Sequence, residues 1–122
     1  MGRSLYTQVI GAPVLIGDSC LFIGTSALTS SQLGNCTRIL ERSFATFGSG
    51  KSFLAGANIL DIAKTGIAWG LLANNASAVA DGYARVHAEA VVHDSLRADG
   101  IRGDGSFGQH EGIIYNGNYG MV

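Results

Sequence analysis

The residues best suited to chemistry lie in residues 104–120, DGSFGQHEGIIYNGNYG. His110 and Tyr119 stand nine positions apart there, in a stretch punctuated by glycine and poor in core-forming side chains. Imidazole is the side chain whose charge changes most readily near neutral pH, and a phenol both donates and accepts a proton. Held on a loop by a rigid scaffold, the two would serve proton transfer. The competing reading is a tyrosine-rich turn packed on a neighbouring helix, and composition alone favours it. Glu111 follows His110, where it either tunes the imidazole or is merely exposed.

Other chemistry-bearing residues have quieter readings. Residues 45–52, ATFGSGKS, approximate a phosphate-binding loop with Ala45 in place of the first glycine. That mechanism needs a strand before the loop and a helix directly after it. Here a helical pattern precedes the loop and Gly56 interrupts the segment after it, so Lys51 reads as a solvated loop lysine. Asp61 and Lys64 are three apart on one helix, a spacing at which they pair. Asp81, Arg85 and Glu89 read as the wet face of a later helix, and His87 and His93 lie on that helix and at its end, where they either face solvent or favour the helix C-terminus as cations. Cys20 and Cys36 lack metal-ligand spacing; they read first as buried thiols and second as a single bridge. Sequons at Asn35 and Asn75 matter only on a secreted chain.

These residues need elements to position them. A chain of 122 residues is one domain or a piece of one. Apolar residues make up 47% and charged residues 14%, against about 25% charged in ordinary globular chains. So little charge fits helices packed between other helices. A net charge of −1 gives no reason to expect nucleic acid or an anionic membrane as a partner. No apolar run is long enough to span a bilayer, and MGRSLYTQ lacks the apolar core of a secretory signal.

The spacing of apolar residues predicts four helices. The first covers residues 13–23, started by Pro13 after an irregular approach. Thr29, Ser30 and Ser31 offer caps for a second, over residues 32–44, stopped by the GSG at 48–50. The third covers 58–73, with Asn58 in the capping position, and the fourth 76–93, after a break at Asn74 and Asn75. From Asp94 onward the expectation is loop with short irregular pieces. Short connections between these helices make antiparallel hairpins, an all-α arrangement.

Taken together, AGANILD at residues 55–61 and DGSFGQH…YNGNYG at 104–120 resemble the helical catalytic domain of polysaccharide lyase family 8, which includes hyaluronate, chondroitin AC and xanthan lyases. Gly56, Ala57 and Asn58 match the family's asparagine at a helix start. Asp104, Gly105, Ser106, His110 and Tyr119 match its second motif, with His110 standing 52 positions after Asn58 (110 − 58). QVIGAP at 8–13 is similar to the segment leading into one of the family's helices. The resemblance covers nearly the whole chain.

It implies an incomplete (α/α) toroid, with residues 1–122 as a partial catalytic domain truncated at both ends. It also implies β-elimination at a uronic acid of an extracellular acidic polysaccharide of the hyaluronan, chondroitin, xanthan or mannuronate type, without a cofactor or a metal. The implied catalytic residues are Asn58, His110 and Tyr119. Asn58 neutralises the carboxylate, His110 or Tyr119 takes the C5 proton, and Tyr119 protonates the leaving oxygen. Tyr6, Gln109 and Tyr115 are the implied substrate contacts. The family's arginine partner for the tyrosine has its place beyond Val122, and Arg102 does not match it. A remnant of the same fold, non-catalytic and at most weakly carbohydrate-binding, is the alternative.

Overall fold

The computed structural model describes residues 6–47, 56–92, 100–109 and 113–115. The first described segment is a π-helical turn, Thr7–Gly11, that runs directly into helix α1, Ala12–Ile23. Sequence reading expects irregular chain here, and proline explains the difference. Pro13 has no N–H, and its ring excludes the carbonyl four residues back, that of Val9. The backbone widens by one residue instead, so the Ala12 N–H donates to the Thr7 carbonyl. The Val9 carbonyl left over accepts the hydroxyl of Ser43, a buried residue of the second helix.

Helix α1 stops at Gly24, whose φ of 84° suits glycine. Helix α2, Ser30–Phe47, begins with a capping box. The Thr29 hydroxyl accepts from the Gln32 N–H (3.2 Å), and Gln32 Oε1 accepts from the Thr29 N–H (2.9 Å). Helix α3 is Ala57–Leu72, and α4 is Ala76–Glu89. Between them Asn74 takes a positive φ of 52° and Asn75 caps α4, its side-chain oxygen accepting from the Ala78 N–H at 3.1 Å. Helix α4 ends four residues earlier than expected, because Val92 leaves the helix to pair with Ile101.

The π-turn, α1, α2 and α4 all pack on α3. Small residues make that possible. A methyl group on Gly66 would stand 2.4 Å from the Phe44 ring, and one on Gly82 2.6 Å from Ile67 and 3.0 Å from the Ala63 carbonyl. Val9, Ile10, Phe44, Ile59 and Ile62 form one core cluster, and Cys20, Cys36, Leu40, Ala68 and Leu72 a second. Trp69 packs against both, its ring tilted 47° to that of Phe44.

Beyond α4 the chain forms a three-stranded antiparallel meander, β1 Gly100–Ile101, β2 Phe107–Gln109 and β3 Ile113–Tyr115, where loop is expected. Strands this short carry no readable alternation, and the cue lies in the Asp-Gly turn between β1 and β2. Asp104 Oδ1 accepts from the Ser106 N–H (2.9 Å) and hydroxyl (2.7 Å), and Gly105 takes φ +83°. The helical framework remains the dominant architecture.

Cys20 and Cys36 are joined in a disulfide, not held as free thiols. It ties α1 to α2 across 16 residues of chain, a closure worth roughly 3 kcal/mol in the unfolded-state entropy account. Reduction should therefore lower the urea midpoint of the chain, with Cys20→Ser/Cys36→Ser insensitive to reductant. Ser43→Ala strands a buried carbonyl at the π-turn and should cost about 1–3 kcal/mol in the same unfolding measurement.

Candidate active site

Asn58 is not the cap of α3. That place belongs to Gly56, whose φ of 61° and ψ of −138° are open to glycine and strained for other residues. Asn58 is the second residue of the helix, half-buried, and its side chain makes no hydrogen bond to a described residue. Both backbone groups of Gly56 are engaged. Its carbonyl accepts from the Leu60 N–H at 3.2 Å, and its N–H donates to the carboxylate of Glu89. Glu89 is therefore not on a wet face: it is half-buried at the end of α4 and bonded to the start of α3. The available signal was an acidic residue at a helix C-terminus, where a negative charge is disfavoured.

Three segments meet this end of the α3/α4 hairpin. The π-turn packs Val9 and Ile10 on Ile59 and Ile62, which places the chain leading from Tyr6 beside the first turns of α3. Glu89 joins the end of α4 to Gly56. Three residues further on, Val92 bridges Ile101 of β1, which anchors the sheet at the same end. Tyr6 is 56% exposed, its ring lying over Gly11. Gln109 closes β2 in register with Ile113, and Tyr115 closes β3 opposite Phe107. His110 and Tyr119 lie outside the described residues, as do His93, Glu111 and Lys51.

Charge is arranged differently from the sequence expectation in one more place. Lys64 pairs with Asp18 of α1 at 2.8 Å, in a partly exposed ion pair. Burial raises the pKa of Asp61 above its ordinary value, and nearby Lys64 offsets only part of that. The Asp104 pKa is lowered by the Ser106 hydroxyl and N–H bonded to its carboxylate. His87 stands in the last turn of α4, as expected. The helical residues leading into 45–52 leave no strand before the phosphate-loop pattern.

Among the described residues no cluster of His, Cys, Asp and Glu could hold a metal ion, and no helix is long and apolar enough to cross a membrane. A groove of about 700 Å³ opens between α2, α3 and α4, lined by Phe44, Trp69, Asp81, Arg85 and Ala88 among others. Among the described residues, neither Asn58 nor Tyr6 lines it. Trp69 is eleven residues along α3 from Asn58, about 16 Å by helical rise. The part of the groove at Trp69 is thus remote from Asn58, whereas Ala88 of its lining directly precedes Glu89 at the site's end of α4.

Antiparallel helical hairpins stacked in this way are part of an (α/α) toroid, the fold of a class of polysaccharide-cleaving enzymes. The profile of polysaccharide lyase family 8, N-terminal alpha-helical domain, matches residues 35–122. The chain belongs to that family. In fold it is similar to the chondroitin AC lyase of Streptomyces coelicolor A3, solved with chondroitin sulphate, at a TM-score of 0.80 and 22% identity over 98% of this chain. It is also similar to a Paenibacillus xanthan lyase, at a TM-score of 0.72 and 28% identity over 98% of this chain. It spans 16% of the first enzyme's length and 11% of the second's. No curated protein sequence matches it.

The two shifted carboxylates give opposite pH signatures. A depressed folded-state pKa means that Asp104 supports the hairpin above its ordinary 3.8 and that this support is lost as pH falls through the depressed value. The Ser106 amide resonance should follow that titration, and Asp104→Asn should abolish it. Asp61, with a raised pKa, costs stability as pH rises from 3.8 through its folded value. Asp61→Asn should raise the thermal midpoint at neutral pH and lose that advantage in acid.

Proposed function

We propose that the chain is part of the catalytic helical domain of a lyase that cleaves an acidic polysaccharide by β-elimination at a uronic acid. On this reading residues 1–122 are a section of a toroid continued on either side. The observation that carries the proposal is the start of α3: an asparagine amide, half-buried and without a bond to a described residue, at the end of the hairpin where the sheet leading to residue 110 is anchored.

The chemistry accounts for the residue types. The C5–H bond beside the uronate carboxylate breaks, and its electron pair becomes the C4–C5 double bond as the C4–oxygen bond breaks. No water is consumed. Negative charge grows on the carboxylate as the proton leaves, and the Asn58 amide donates to it; one such donor is typically worth about 3–4 kcal/mol. His110 or Tyr119 takes the C5 proton, and Tyr119 returns a proton to the leaving oxygen. Each transfer contributes on the order of 10²–10⁴ in rate. Tyr6, Gln109 and Tyr115 contact the sugar chain.

An acidic polysaccharide as substrate is supported by the chondroitin AC and xanthan lyases that share the fold; chondroitin, hyaluronan, xanthan and mannuronate polymers are the candidates of that class. An extracellular location is supported by the Cys20–Cys36 disulfide, a bond that persists mainly in oxidising compartments.

The test is turnover of these four polymers by the protein expressed from the gene's full reading frame, read as the near-ultraviolet absorbance of an unsaturated uronate. Asn58→Ala should lower kcat about 10²–10³-fold, and Tyr119→Phe should abolish product. Absence of the unsaturated product on every polymer would sink the proposal in favour of a non-catalytic remnant.

A further inference from the structure

We infer that Glu89 is a positioning residue for the catalytic site, acting through Gly56 to set the place of the Asn58 amide. The inference rests on the proposed role of Asn58 and extends it to a residue outside both motifs.

Gly56 is buried and held in a backbone conformation that does not follow from helix formation, since its ψ of −138° lies far from helical values. Something outside the helix must select it. The Glu89 carboxylate reaches it from 33 positions away in sequence and accepts its N–H, a bond strengthened by the charge of the acceptor. With the Gly56 carbonyl committed to the Leu60 N–H, the peptide units entering α3 are fixed from both sides. Asn58 lies inside that first turn, so its Cα direction follows from the same two bonds.

Helix α4 gains nothing from this arrangement. Glu89 is its last residue, where the helix presents its negative end, and a carboxylate there is unfavourable. At the positive end of α3 the same charge is favoured. The position of Glu89 is thus explained by α3 and not by its own helix. A transition-state donor must be held close to its productive geometry, and a misplacement of about 1 Å can cost about 10²-fold in rate. The Gly56–Glu89 bond supplies that restraint one residue before the Ala57–Asn58 pair.

The test is a double-mutant cycle in the protein from the full reading frame, on the polymer it turns over best. Glu89→Ala should lower kcat about ten- to a hundredfold with little change in KM, and Glu89→Gln, which keeps a neutral acceptor, should recover part of the loss. In an Asn58→Ala background, Glu89→Ala should change kcat less than about twofold, because the group it places is already gone. Melting curves of each variant separate folding from turnover, and Glu89→Gln replaces Glu89→Ala in the cycle where the latter fails to fold. Equal factors with and without Asn58 would mean a general structural role and overturn the inference. So would a silent Glu89→Ala beside a crippling Asn58→Ala, an outcome that leaves the proposed function standing. Turnover indifferent to Asn58, or absent altogether, would sink both.

Discussion

Helix α3 can be surrounded on several sides only because its surface and its neighbours' are thin where they cross. Phe44 of α2 lies on Gly66, and α4 crosses with Gly82 against Ala63 and Ile67. A methyl group at either glycine would overlap its neighbour at 2.6 Å or less, and overpacking of this kind costs typically 1–3 kcal/mol. Glycine in a helix interior also has a cost of about 1 kcal/mol relative to alanine. Close packing outweighs that cost because Ile62, Ala63 and Thr65 become almost wholly buried between the surrounding elements. The sequence holds 18 glycines, about twice the usual share, and this packing uses part of that excess, with low charge as its companion.

The helices were legible because their apolar spacing and end signals agree. Pro13, the residues 29–31 and Asn75 mark helix starts within one or two positions of where they occur. What escaped reading depends on contacts between distant parts of the chain. Whether Cys20 and Cys36 meet is set by the antiparallel packing of α1 on α2, which spacing alone leaves open. Lys64 has Asp61 one turn away, yet its partner is Asp18 on another helix. Glu89 looked solvated because α4 has an exposed face, and only the docking of α4 on α3 shows which way that last turn points. The meander was missed because strands of two and three residues are too short to express a period, although the Asp-Gly turn was in plain sight.

The candidate site was legible in a different sense. Residue types and a long-range spacing named the family, which the match over residues 35–122 bears out. Asn58 lies two positions beyond the cap place that its sequence context suggests, and the difference matters chemically. An asparagine in the cap position spends its side-chain oxygen on the helix N–H groups, as Asn75 does for α4. With Gly56 as the cap, neither the oxygen nor the NH2 of Asn58 is bonded to a described residue.

That arrangement bears on how charge would be handled on the proposed reading. A helix start carries roughly half a positive charge and by itself attracts any anion, whether ground state or transition state. At α3 part of this attraction is answered by the Glu89 carboxylate, a fixed anion of the protein. A neutral amide then becomes the group facing the uronate. Its hydrogen bond strengthens as charge accumulates on the carboxylate, so it favours the transition state over the bound substrate, and only such differential binding raises kcat. A bare helix end or a lysine at the same place would hold the uronate before and after proton removal alike. The glycine at the start of α3, the glutamate at the end of α4 and the asparagine two positions into α3 are, on this account, parts of one electrostatic device.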